Sequence, residues 1–400
     1  MSKLLRSLLT VLLALTLTLV FVGCNDDGDS TGDAVTGEFI YQLETGVKEE
    51  NGEQVEYSYY KITGYTITSD DALKMAEGDF STVTSAMRNI KIQATYKNPK
   101  TNVEYPVEEI ASMAFSNQVI LQSVDFTGSN IKTIGLGAFS GCTNLQEIKN
   151  LPFIGESADA TNSDRVLGHL FGSASESDKN VTVSAKTRIN ESQDSLSFTV
   201  PSSLKKVSFT CEVIPECAFY GFSMLEEVEI ANVKEIGAGA FYGCSQIVSI
   251  KMPKVQYVYD SAFEGCSVLL NVDFSGNTVL QYVGDNAFSG CSRLGYNFVL
   301  DTEEALTIKL PASVTYLGKG AFYDCTSLKY IELGAGIKEI KSVTFANCTE
   351  LKKVTYLYEG NDFEVKVSAF AECDKDLVEI YNAQGEKQTY QDYVYGKVEI

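Results

Sequence analysis

The sequence predicts a solenoid that is mainly β, with short 3₁₀ or helical turns between short strands and a cap at each end. Three observations lead there. A core of Ala-Phe, one residue, then Gly-Cys recurs, most fully in KEIGAGAFYGCSQIVSIKMP over Lys234 to Pro253. Its Phe returns at Phe115, Phe139, Phe219, Phe241, Phe263, Phe288, Phe322, Phe345 and Phe370. The short intervals between them are 22 to 25 residues, and a fixed period of that size marks a stack of supersecondary units.

Each element of one unit follows from local chemistry. In Leu225 to Ile230, Val228 and Ile230 sit two apart, with Glu227 and Glu229 between and beside them. On a strand these pairs take opposite faces, apolar inward and charged outward. A second short strand precedes the Ala-Phe, as in Gln281-Tyr282-Val283. The Ala-Phe-x-Gly-Cys between the strands is too short for a helix of several turns and suits a tight or 3₁₀ turn, with Gly243 and its equivalents at positive φ. Ser112, Asp260 and Asp285 stand two residues before the Ala, where a side-chain oxygen is expected to cap that turn. One unit alone leaves its Phe and Leu in water. Units stacked in register put Phe on Phe, so the recurring Phe is read as core and not as a ligand-binding aromatic stripe.

These residues carry a resemblance. Ile236-Gly237, Ala240-Phe241, Gly243-Cys244, Ile247, Ile250 and Pro253 match the repeat of the BspA-type leucine-rich-repeat family, and the likeness extends over roughly residues 60 to 380. The resemblance implies a right-handed leucine-rich-repeat solenoid, display on a bacterial surface, adhesion to host proteins or neighbouring cells, and no catalysis. Tyr60-Lys61-Ile62-Thr63-Gly64-Tyr65 and Pro106-Val107-Glu108-Glu109-Ile110 are similar to the segment with which family members open.

In chain order, residues 1–23 read as a signal peptide: Lys3 and Arg6, then an apolar run from Leu8 to Val22 that is short for a membrane span. Gly23-Cys24 resembles a bacterial lipobox, with Phe21 where Leu is usual, so Cys24 is the expected lipidation site; a plain secretory signal with an incidental Cys is the alternative. Residues 24–37, small and acidic, read as a flexible tether. Its Asp26-Asp27 is similar to the signal that directs some lipoproteins to the outer face of an outer membrane. Residues 38–105 form an expected N-terminal β-rich cap with a helical insertion from Ser69 to Met87, started by Ser69 or Asp70. The solenoid proper spans 106–380, with insertions at about 150–200 and 297–305. The first lies in the 80-residue gap between Phe139 and Phe219, holds LGHLFG at Leu167 to Gly172 and predicts a projecting loop at Ser173 to Ser195; the second lies in the 34-residue gap between Phe288 and Phe322. Residues 381–400 alternate apolar and polar around a turn at Gln384-Gly385 and read as a C-terminal hairpin cap.

Composition narrows the function classes. The formal charge is −21, which becomes −23 once Lys3 and Arg6 leave with the signal peptide. Such a surface is a poor partner for nucleic acid or anionic lipid, so membrane contact is expected only through the N-terminal lipid. His169 is the only histidine; a nucleophile–His arrangement would have to use it, and its place beside Leu167 and Phe171 reads as a turn residue. No CxxC is present, so zinc sites of the usual spacing are not expected, and neither a catalytic group nor a cofactor is. Seven cysteines (Cys142, Cys244, Cys266, Cys291, Cys325, Cys348, Cys373) share one repeat position and point in parallel, which predicts a spine of free, buried thiols over a ladder of disulfides.

The leading function is a non-enzymatic binding module for a host or cell-surface protein, monomeric and lipid-anchored at the bacterial surface. The alternative is a glycan-capturing lipoprotein that serves an outer-membrane uptake system. Strand alternation places the candidate ligand contacts on the outer face: Glu227 and Glu229, Ser249 and Lys251, Asn271 and Asp273, then Tyr330 and Glu332, Lys353 and Thr355, Glu379 and Tyr381. They vary in type from unit to unit. Tyr330 and Tyr381 are the expected anchors, since aromatic side chains dominate interface energetics.

Overall fold

A computed structural model describes residues 38–67, 81, 83–158, 165–172, 180–186, 195–296, 302–303, 307–360, 362–374 and 378–388. The signal peptide, Cys24, the tether, the predicted helix start and residues 389–400 lie outside these. So do residues 173–179 and 187–194, and most of 297–305.

A typical coil of the chain lays down two short strands, and most of these hydrogen-bond to their equivalents in the neighbouring coils. The first strand carries the outward-inward-outward triplet. Asn89–Lys91, Ser123–Asp125, Glu147–Leu151, Lys206–Phe209 and Glu227–Glu229 form one five-stranded sheet, all parallel. Ser249–Lys251 pairs with Asn271–Asp273, and Thr307–Lys309, Tyr330–Leu333, Lys353–Tyr356 and Glu379–Tyr381 continue the same face, parallel again. The second strand is two residues long: Val213–Ile214, Glu235–Ile236, Tyr257–Val258, Tyr282–Val283 and Tyr316–Leu317 form a second parallel sheet. Parallel neighbours at a recurring interval are what a repeated coil must give, because each strand begins again at the same phase.

The Ala-Phe turn closes each coil and carries the core. The N–H of each repeat Phe donates to the carbonyl one coil on, as Phe241 does to Ala262 at 2.7 Å and Phe263 to Ala287 at 2.8 Å. The rings then stack nearly parallel: Phe219 to Phe241 at 5.0 Å, Phe241 to Phe263 at 5.1 Å and Phe263 to Phe288 at 5.3 Å, continuing through Phe322 and Phe345 to Phe370. Gly243 has the positive φ expected of it, 70°, and Asn347 takes the same left-handed place at 60°.

The cysteine at the shared position has a hydrogen-bonding role that spacing did not reveal. Each thiol donates backwards to the Phe carbonyl of the preceding coil: Cys244 to Phe219 at 3.1 Å, Cys266 to Phe241 at 3.2 Å, Cys348 to Phe322 at 3.1 Å. The Phe carbonyl already accepts the N–H of the Cys in its own coil, as Phe241 does from Cys244 at 3.1 Å, so the thiol occupies its second lone pair. All nine cysteines of the described residues are free thiols. Burial pushes the Cys142 thiol up to about 12 and the Cys373 thiol up to about 11, so both stay neutral at physiological pH.

Several expectations are corrected. Asp260 and Asp285 do not cap their own turns. The Asp260 Oδ1 accepts the N–H of Asp285 at 2.9 Å, and the Asp285 Oδ1 accepts that of Lys319 at 2.8 Å, so each ties one coil to the next. Within the predicted projecting loop, the described Asn180–Lys186 pairs antiparallel with Ser195–Pro201. In LGHLFG, Leu170 accepts the N–H of Phe139 at 2.8 Å. That places Phe171, fully buried, at the repeat Phe position despite the missing Ala. Within the predicted helical insertion the described helix is only α1 (Ser85–Arg88), capped by Thr84, whose Oγ1 accepts from Met87 at 3.3 Å.

At the N-terminal end, β1 (Glu38–Glu50) and β2 (Glu53–Thr66) form an antiparallel hairpin, and β2 runs parallel to Glu104–Ile110. Asn51 and Gly52, both at positive φ, make its two-residue turn. The Phe39 and Tyr65 rings each lie 6.0 Å from the Phe115 ring, covering the start of the Phe column. At the other end Lys387–Gln388 pairs antiparallel with Glu379–Tyr381 around Gly385.

Candidate binding site

The predicted outward residues do lie on one face, in two columns. Ile250 and Val272 point inward and are buried, which leaves Ser249 beside Asn271 and Lys251 beside Asp273. Further along, Tyr330 lies beside Lys353 and Lys353 beside Glu379; Glu332 lies beside Thr355 and Thr355 beside Tyr381. Glu227 and Glu229 belong to the preceding sheet, beside Lys206 and Ser208. The twelve candidates thus fall in three hydrogen-bonded ladders and not in one. Those of the last three coils are half-buried, since neighbouring side chains cover one another.

The charges on this face pair across coils. Lys206 pairs with Glu227, Lys353 with Glu303 at 2.7 Å and Lys387 with Glu379 at 2.7 Å, while Lys251 lies 3.9 Å from Asp273. Hydrogen bonds from the Ser275 hydroxyl and N–H hold the Asp273 carboxyl below its ordinary range. Exposed pairs of this kind contribute about 0–1 kcal/mol each, so they set local order more than stability. Tyr381 is fixed from two sides: its hydroxyl donates to Glu379 Oε2 at 2.8 Å, and the Lys353 ammonium lies 4.8 Å from its ring centroid. The Tyr330 side chain makes no hydrogen bond or ring contact among the described residues, which leaves it the freer anchor.

His169 is buried in the 3₁₀ turn Leu167–Leu170, with Nε2 3.0 Å from the Ile134 carbonyl. Among the described residues no cluster of His, Cys, Asp and Glu is placed to hold a metal ion, and no helix is long and apolar enough to cross a membrane.

Sequence reasoning missed the outer face of the second sheet. There Tyr257, Tyr282 and Tyr316 occupy equivalent places in successive coils, with Tyr259 beside them. The signal was present: Gln256-Tyr257-Val258 and Gln281-Tyr282-Val283 recur at one phase, where other coils carry Glu235 or Glu339.

No curated protein matches the chain. Similar solved structures include a leucine-rich repeat protein from Bacteroides ovatus, 18% identical over 89% of this chain and 100% of that one, with a TM-score of 0.31. A leucine rich cell surface protein from Faecalibacterium prausnitzii is 17% identical over 94% of this chain and 100% of its own, TM-score 0.33. The leucine rich repeat protein of T. pallidum is 20% identical over 69% and 95%, TM-score 0.32. The family model described as the BspA type leucine rich repeat region matches residues 67–158, 194–301 and 296–396 in six copies. With most of its length matched by that repeat, the chain belongs to the BspA-type leucine-rich-repeat family.

Proposed function

We propose that this protein is a surface-anchored bacterial lipoprotein acting as a non-enzymatic binding and adhesion module, whose solenoid engages a host or cell-surface protein. The carrying observation is the contrast within each coil. Residues that face inward repeat in kind, while those that face outward in the same strands change from coil to coil on a fixed backbone. A rigid frame with a variable face lowers the ordering cost of an extended interface. The burial of His169 supports the non-enzymatic part. The glycan alternative gains nothing from Tyr381, whose ring is already covered by Lys353.

Two experiments test this reading. Probed against immobilised extracellular-matrix proteins beside a glycan array, the protein is expected to bind a protein ligand. Tyr330→Ser with Tyr381→Ser is then expected to weaken that ligand at least tenfold, about 1.4 kcal/mol. Unchanged affinity with unchanged folding contradicts the first sheet as the contact face. For the anchor, wild-type protein is expected in the detergent phase of a detergent separation and Cys24→Ala in the aqueous phase. Equal partitioning of the two contradicts lipidation.

A further inference from the structure

We propose that the outer face of the second sheet is a docking site for a basic, arginine-bearing peptide segment; this rests on the binding-module reading and assigns it a second surface with a partner of stated chemistry. Tyr257, Tyr282 and Tyr316 stand in register in three successive coils, where the flanking coils carry Glu235 and Glu339. Glu235 holds this place within the same sheet, and Glu339 holds it in the separate strand pair that follows, so strand pairing itself does not require tyrosine there. The rings are pre-arranged. Tyr282 and Tyr316 stack at 4.5 Å with 9° between planes, Tyr257 and Tyr259 at 6.0 Å with 14°, and Tyr259 reaches Tyr282 at 5.8 Å. Ordered aromatic side chains add contact area to an interface at little entropic cost.

The charge around these rings selects the partner. The Tyr282 hydroxyl donates to Asp260 Oδ1 at 3.3 Å, and the Tyr316 hydroxyl to Asp285 Oδ1 at 3.3 Å. Those same oxygens accept the backbone N–H groups that join the coils, so both carboxylates are held in place. Among the described residues Glu235, Asp260 and Asp285 form no ion pair. Elsewhere on the solenoid, acids such as Glu212, Glu227, Glu339 and Glu379 each have a lysine within 4 Å. The patch therefore sets three carboxylates without ion pairs beside aromatic rings, on a chain whose overall charge of −21 attracts cations over a distance.

Ring geometry favours a peptide over a sugar, since of these rings only Tyr259 is exposed. A pyranose needs an open aromatic face. Here Tyr282 and Tyr316 cover each other, and the Lys341 ammonium sits 3.3 Å from the Tyr316 ring centroid on the side of the following coil. What the patch offers is ring edges, hydroxyls, carboxylate oxygens and the exposed ring of Tyr259. Guanidinium groups match that set, because a planar donor fork pairs with a carboxylate and lies against an aromatic ring at once. Lys341 on Tyr316 shows a cation already accommodated at one end of the stack.

The test uses a short, fluorescently labelled peptide of alternating Arg and Gly, with matched Lys-Gly and Glu-Gly peptides, in about 0.15 M salt to suppress long-range attraction. Wild-type protein is expected to bind the Arg peptide more tightly than the Lys peptide and not to bind the Glu peptide. Tyr259→Ser with Tyr282→Ser, and separately Asp260→Asn with Asp285→Asn, are each expected to lose about tenfold or more. The Asn variants keep an oxygen for the coil-joining N–H groups, and thermal unfolding checks that they fold. Glu53→Gln with Glu56→Gln removes equal charge from the exposed N-terminal hairpin and is expected to change affinity less than about twofold. An equal loss in that control means net charge alone attracts the peptide, and absence of Arg-peptide binding means the patch is not a cation site. Either result overturns this proposal. Neither alters the outcome of the matrix-protein panel or of Tyr330→Ser with Tyr381→Ser, by which the binding-module reading stands or falls separately.

Discussion

Phe263→Ala is expected to destabilise the protein by about 3–5 kcal/mol, the usual cost of emptying a fully buried Phe site. Phe263 is fully buried, with a ring on either side at 5.1 and 5.3 Å. Truncation loses the transfer energy of the ring and leaves a void that Phe241 and Phe288 cannot close, because each is pinned by its own N–H bond to the following coil. In a stack with nearest-neighbour contacts only, the defect also uncouples the coils before it from those after it. Tyr323→Ser is the matched control. Tyr323 follows Phe322 in the same kind of turn but is 42% exposed, and its loss is expected to stay within about 0.5 kcal/mol. Urea unfolding of both variants checks the pair; similar midpoints mean that the Phe column is not what holds the coils together.

The second large effect is at Asn277, buried in the connection between Asn271–Asp273 and Tyr282–Val283. Its amide nitrogen donates to the Met252 and Val255 carbonyls of the preceding coil at 2.7 and 2.8 Å. Its Oδ1 accepts the N–H groups of Val279 and Leu280, both at 2.9 Å. One side chain thus serves four backbone groups, three of them in buried hydrogen bonds. Asn277→Ala is expected to cost about 3 kcal/mol, since a buried group left without a partner costs about 1–3 kcal/mol and water will reach some of the four. Asn277→Asp keeps the shape but turns the two donors into an acceptor facing carbonyl oxygens. Burial and those carbonyls raise that carboxyl above its unfolded value, so the variant loses stability as pH rises past the ordinary carboxylate range and recovers some of it in acid. An Asp variant as stable as wild type at neutral pH contradicts the network.

The periodic part of this molecule was legible and the aperiodic part was not. Phe263, Cys266 and Gly243 recur at a fixed phase, and only a stack makes that recurrence useful. Asn277 occurs in one coil, so nothing in the sequence separates it from the many surface asparagines. Asp260 and Asp285 were misread as turn caps because spacing shows neighbours within a coil, whereas the partner of Asp260 lies 25 residues on. Phe171 was hidden by the loss of the Ala before it; its place came from the carbonyl ladder of the adjoining turn. For the candidate site, strand alternation placed Tyr330, Lys353 and Tyr381 on the outer face correctly. It did not foresee that Lys353 covers Tyr381, because cross-coil contacts depend on side-chain length and direction as well as register. The tyrosines of the second sheet went unremarked for a related reason: a two-residue strand is too short for alternation to announce its outward side.

The in-register stack is tested most directly by its thiols. Protein unfolded in denaturant without reductant is alkylated and weighed, beside a sample alkylated while folded. The stack places every repeat cysteine against the Phe carbonyl of the coil before it, so no two are bonded to each other. The expected result is that Cys142, Cys211, Cys217, Cys244, Cys266, Cys291, Cys325, Cys348 and Cys373 are all labelled after unfolding. In the folded sample the eight buried ones stay unlabelled and only Cys211, half-exposed, is open to reagent. Repeat cysteines that stay unlabelled in pairs after unfolding, or that react readily while folded, contradict the register on which the architecture rests.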